Sequence, residues 1–174
     1  MSSLHKNLSD FSHLKVASAS GLRFVVIVSQ WNAGITGSLL EGALTTLEKH
    51  GADPNQVEVV KVPGSYELIS GADIVLKQKE SLDDVKGVDD VKGVDAVICL
   101  GCVIQGETRH FDFICSAVAH GLAQVGLKYG KPVIFGVLTT DNLEQAQDRS
   151  GGKHGNKGSE AAVTAIQMAS LRTT

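Results

Sequence analysis

The residues best suited to chemistry in this chain lie in the run Gly101-Cys102-Val103-Ile104-Gln105-Gly106-Glu107-Thr108-Arg109-His110-Phe111-Asp112. An apolar run, Val94 to Leu100, precedes it and reads as a buried strand. Phe111, Ile114, Cys115, Val118, Leu122 and Val125 follow at helical spacing. A strand, a Gly-bracketed turn and a helix therefore meet here. The first N–H groups of such a helix lack internal partners and point outward, so the turn can hold an anion. Glu107 and Thr108 lie on that turn. His110 at its mouth can take or give a proton near neutral pH.

The elements that position this turn alternate along the chain. Strand patterns cover Leu22 to Val28, Val57 to Val62, Val94 to Leu100 and Val133 to Leu138. Helical patterns cover Thr36 to His50, Ser65 to Lys79, Phe111 to Tyr129, Leu143 to Asp148 and Ser159 to Leu171. Gly51 stands where a helix stop is expected. Apolar strands separated by helices imply a mostly parallel sheet covered on both faces. Ligands of such sheets bind beyond the carboxyl ends of the strands. Ser29-Gln30-Trp31-Asn32 and Val62-Pro63-Gly64-Ser65-Tyr66-Glu67 lie at two of those ends. A flat heterocycle stacked on Trp31, with Ser65 and Glu67 reading its edges, suits the arrangement. Taken alone, Trp31 reads as a core tryptophan and Glu67 as a favourable first-turn charge.

Size and charge narrow the class. A chain of 174 residues fits one domain with a substantial core, 21–174, preceded by a polar tail, 1–20. The net charge of −3 points to neither nucleic acid nor an anionic membrane surface. No apolar run reaches transmembrane length, and the N-terminus lacks the apolar centre of a signal peptide, so the cytoplasm is the expected location. Cys99 and Cys102 match C-x-x-C spacing, but Cys99 sits inside an apolar strand pattern. A small buried side chain is the simpler role.

Two further features are local. Asp83 to Val88 is repeated identically as Asp89 to Val94 and reads as an expanded surface loop, its acids lacking calcium-loop spacing. Arg149 to Ser159 is Gly-rich and basic. It is no Walker A motif, and it reads equally as an anion-binding loop or a solvated connection.

The Val62 to Glu67 and Gly101 to Asp112 runs, together with Pro132 to Thr139 and Asn156-Lys157-Gly158, resemble the lumazine synthase family in order and spacing. The match extends from about Leu22 to Leu171. The resemblance implies a flavodoxin-like three-layer α/β/α sandwich on a four-stranded parallel sheet. It implies condensation of 5-amino-6-ribitylaminouracil with 3,4-dihydroxy-2-butanone 4-phosphate, without metal or organic cofactor. Residue by residue, Trp31 would stack on the pyrimidine, with Asn32, Ser65, Tyr66 and Glu67 meeting the ring or ribityl chain. Cys102, Val103 and Ile104 would line the pocket, and Glu107 and Thr108 would meet the phosphate. His110 would shuttle protons. Phe135, Arg149 and Lys157 would come from the next subunit of a homo-pentamer, Arg149 binding phosphate. Gly151 to Gly155 has the compact form of members whose pentamers close into an icosahedral shell of twelve. The rival readings are a non-catalytic flavin-binding protein on the same fold and an unrelated flavodoxin-like phosphate-binding or signalling module.

Overall fold

The computed structural model describes residues 7–11, 14–83 and 93–171. Four strands form the main sheet: β1 (Phe24–Ser29), β2 (Val57–Val62), β3 (Ala96–Ile104) and β4 (Val133–Thr140). All are parallel, in the order β2-β1-β3-β4. The helices are α1 (Ala33–Lys49), α2 (Leu68–Asp83), α3 (His110–Tyr129), α4 (Leu143–Asp148) and α5 (Lys157–Ser170). A small antiparallel hairpin, β5 (Ser150–Gly152) and β6 (Gly155–Asn156), joins α4 to α5.

Burial explains the layering. All six residues of β1 are buried, as are the first seven of β3, because helices cover both faces of these central strands. Side chains alternate between two cores. Phe24, Val26, Val28, Ile98 and Leu100 pack with Leu39, Leu47 and Ile166 of α1 and α5. Val25, Ile27, Val97 and Cys99 pack with Leu68, Leu76 and Leu122 of α2 and α3. β2 is the edge strand on one side, and Glu58, Val59 and Lys61 are exposed there. The flavodoxin-like α/β/α reading therefore holds.

Several boundaries differ from the sequence reading, and the differences nearest the clefts have local reasons. β3 runs on through Gly101 to Ile104, because β4 continues to pair with it as far as Ile104 opposite Thr140. The turn before α3 is accordingly only residues 105–109. α2 starts at Leu68 rather than Ser65, since Ser65 to Glu67 form a turn whose Ser65 carbonyl accepts the Leu68 N–H. α5 starts two residues early, at Lys157, because Asn156 caps it. The segment read as a loop after Arg149 is the β5–β6 hairpin; strands this short, made of Ser, Gly and Asn, carry no apolar periodicity. The central part of the duplicated run, 84–92, lies outside the described residues.

α1 and α5 approach closely enough that small residues are obligatory. A β-carbon on Gly158 would run into the backbone carbonyl of Leu39, and one on Gly42 would lie 2.5 Å from the Asn156 side chain. The Gly158→Ala protein should therefore be less stable by about 1–3 kcal/mol, the usual cost of overpacking. Thermal denaturation checks this: a melting temperature several degrees lower is expected, whereas an unchanged one would mean that α1 can retreat from α5.

Candidate functional site

The carboxyl ends of β1, β2 and β3 converge on a cleft of about 550 Å³. Backbone bonds hold its rim. The Gln30 N–H donates to the Val62 carbonyl at 2.8 Å and the Trp31 N–H to the Pro63 carbonyl at 3.1 Å, fastening the β1–α1 loop to the β2–α2 loop. Asn32 adopts a left-handed conformation (φ 60°), a region that asparagine tolerates better than most side chains. Its Nδ2 donates to the Cys102 carbonyl at 3.1 Å, so the loop is also tied to the end of β3.

Within this frame Trp31 is 72% exposed, which overturns the core reading of that residue taken alone. Its indole, Asn32, Ser65, Tyr66, Glu67, Cys102, Val103, Ile104 and His110 all line the same cleft. Ile114 joins them; helical spacing had marked it only as an apolar position of α3. Ser65 is buried and its hydroxyl makes no hydrogen bond among the described residues. A buried hydroxyl left without a partner costs about 1–3 kcal/mol. Gly101 makes room for it, since a β-carbon there would sit 2.7 Å from Ser65 Oγ. His110 opens α3 and is exposed at the cleft's mouth. Glu107 and Thr108 are exposed on the preceding turn and line none of the main clefts.

A second cleft, of about 760 Å³, lies along β4 and the hairpin. Phe135, Arg149 and Lys157 line it. The two clefts share no lining residue. Arg149 is held at both ends: Nη1 donates to the His154 carbonyl at 2.8 Å, and Nη2 lies 2.8 Å from Glu160 Oε1. Glu160 Oε2 accepts from Lys157 Nζ at 3.2 Å. One carboxylate thus orients two cations and leaves the group with a net positive charge. The sequence reading missed Glu160, although its position three residues after Lys157 on a helix is the signal that could have found it.

Comparison with known proteins bears on the family of this chain. The family model for 6,7-dimethyl-8-ribityllumazine synthase matches residues 21–173. The 6,7-dimethyl-8-ribityllumazine synthase of Cytophaga hutchinsonii is 54% identical over 97% of both chains. That of Parabacteroides distasonis is 48% identical over 97% of both, and that of Phocaeicola vulgatus is 44% identical over 97% of this chain and 92% of the relative. The chain belongs to the 6,7-dimethyl-8-ribityllumazine synthase family.

In this family member the three cysteines are free thiols. Cys99 and Cys102 point to opposite faces of β3 and belong to different cores, so the C-x-x-C spacing forms no redox pair. Among the described residues no cluster of three or more His, Cys, Asp or Glu side chains is placed to hold a metal ion, and no helix is long and apolar enough to cross a membrane. Burial pushes the Cys99 thiol up to about 12 and that of Cys102 up to about 11. Burial, then the nearby Asp112 charge, also raises Cys115, which is only half-buried. Because the thiolate is the reactive form, a thiol reagent at about pH 8 should label Cys115 first. Peptide mass mapping should find Cys99 and Cys102 unlabelled until the protein unfolds; early labelling of Cys102 would contradict this burial.

Proposed function

We propose that this protein condenses 5-amino-6-ribitylaminouracil with 3,4-dihydroxy-2-butanone 4-phosphate to give 6,7-dimethyl-8-ribityllumazine, releasing phosphate and water, in riboflavin biosynthesis. The observation that carries the reading is the presence, on one chain, of two complementary half-sites with no residue in common. One offers a flat aromatic platform, Trp31, beside the hydroxyl of Ser65 and the carboxylate of Glu67. The other offers Arg149 and Lys157 beside Phe135.

The chemistry divides between them. The pyrimidine stacks on Trp31, with Asn32, Ser65, Tyr66, Glu67, Cys102, Val103 and Ile104 around its edges and ribityl chain. Its free amine attacks the ketone carbon of the second substrate, and the carbinolamine so formed loses water to give the imine. That step needs proton transfer to the departing oxygen, which His110 performs from the mouth of the cleft. The carbon beside the imine then loses a proton and phosphate departs, and the negative charge building on it is met by Arg149, by the turn carrying Glu107 and Thr108, and by the N–H groups of α3. The enol left behind becomes a ketone, and the ribitylamino nitrogen attacks it and expels a second water to close the ring. Holding two substrates in one cavity supplies much of the remaining acceleration.

Two half-sites on separate clefts favour an assembly in which Phe135, Arg149 and Lys157 of one subunit complete the ring cleft of the next. A homo-pentamer does this for every subunit. The compact turn of the hairpin, Gly151 to Gly155, fits the closure of twelve pentamers into an icosahedral shell.

The direct test mixes purified protein with both substrates and follows lumazine fluorescence and released phosphate. Enzyme-dependent lumazine with one phosphate per product is expected. The His110→Ala protein should turn over about a hundredfold or more slowly while keeping its fold, as loss of a general acid–base group predicts. Full activity in that variant would remove His110 from the proton-transfer role. If the folded wild-type protein gives no acceleration but binds riboflavin, the flavin-binding reading replaces this one. Arg149→Ala should raise the KM of the phosphate-bearing substrate far more than that of the pyrimidine. Equal KM values for wild type and variant would count against Arg149 as the phosphate ligand.

A further inference from the structure

The cation cleft is built on a hairpin whose strands are three and two residues long and rich in glycine. So short a ladder holds its shape weakly by itself. A segment from the other end of the chain lies against it. The Leu8 N–H donates to the His154 carbonyl at 3.3 Å, the same carbonyl that accepts from Arg149 Nη1 at 2.8 Å. Ser9 and Asn156 exchange two bonds: the Asn156 N–H donates to Ser9 Oγ at 2.7 Å, and the Ser9 hydroxyl donates to the Asn156 carbonyl at 3.0 Å. Asn7 Oδ1 accepts the Ser9 N–H at 2.9 Å and fixes the bend of the segment. The approach is so close that a β-carbon on Gly155, at φ +85°, would lie 2.5 Å from both Asn7 Oδ1 and Ser9 Oγ. Leu8 lines the cation cleft together with Arg149 and Lys157.

We propose that Asn7 to Ser9 form a strap that positions Arg149 and Lys157 for the phosphate-bearing substrate, with Ser9 as the positioning residue. The proposal rests on the reading of Arg149 as the phosphate ligand. A guanidinium fastened to His154 on one side and Glu160 on the other is preorganised for an anion, and binding then costs less ordering. Glu160 sits on the rigid α5. The His154 side is the weaker fastening, because it belongs to the hairpin turn, and there the strap acts. Ser9 secures Asn156, the residue immediately before Lys157, and Leu8 secures His154. Ser9 touches no substrate and no reacting atom.

The test measures Michaelis constants for each substrate separately, together with the inhibition constant of inorganic phosphate. It uses the full-length wild type, Ser9→Ala, Ser9→Thr and Arg149→Ala. Ser9→Ala removes both bonds to Asn156 and should raise both phosphate-dependent constants about fivefold or more, while the pyrimidine KM and kcat stay within about twofold. Ser9→Thr, which keeps the hydroxyl, should restore the wild-type values. Unchanged phosphate constants in Ser9→Ala overturn the strap, as does an equal rise in both Michaelis constants, which marks a generally loosened fold. Failure of the parent reading has a different signature: Arg149→Ala then leaves the phosphate constants unaltered, and the strap proposal falls with it.

Discussion

The side chain of Asn156 is the tie on which the arrangement of this molecule most depends. Its Oδ1 accepts the N–H groups of Gly158 and Ser159, at 2.8 and 3.3 Å, and so starts α5. Its Nδ2 donates to the Ser38 carbonyl of α1 at 2.8 Å. The backbone of the same residue closes the hairpin opposite Ser150. One amide therefore sets where α5 begins, how near it lies to α1, and where the hairpin emerges. A hydroxyl at this position would cap the helix but would not reach α1 as well, because its donor and acceptor share one atom on a shorter side chain, whereas the amide carries them on two. The glycines at 42 and 158 are the other half of the same constraint, since they admit the close approach that the amide spans.

From that tie the electrostatics of the cation cleft follow. α5 carries Lys157 and Glu160 one turn apart, and the hairpin brings Arg149 back to the same carboxylate. The side chains of Arg149 and Glu160 are each less than one-fifth exposed, so their attraction is screened less than that of a surface pair. Neither cation is a loose surface charge. Both are aimed, and the carboxylate that aims them cancels only one of their two charges.

The sequence conveyed the layered α/β fold because β1 and β3 are buried on both sides and their apolar runs are unbroken. β2 showed only as the short strand pattern Val57 to Val62. The cleft residues were legible because they sit where strands end and polar or aromatic side chains interrupt the pattern: Trp31 after β1, Ser65 to Glu67 after β2, His110 after β3. What stayed hidden depended on partners distant in sequence. The length of β3 is set by β4, the hairpin by contacts with residues near the N-terminus, and the role of Glu160 by an arginine eleven positions earlier. Trp31 shows the opposite case, where average tryptophan burial misleads and the structural context of the loop decides.

Among the described residues, the fastening of the β1–α1 loop to the β2–α2 loop is made by main-chain groups of Gln30, Trp31, Val62 and Pro63. The path of the loop therefore owes little to which side chain stands at position 31. The platform and its mounting are separable: another flat or apolar side chain can replace the indole without redirecting the chain. Cleft chemistry at this position is thus open to change at small cost in architecture, whereas position 156, where one side chain serves two helices, has almost no such latitude.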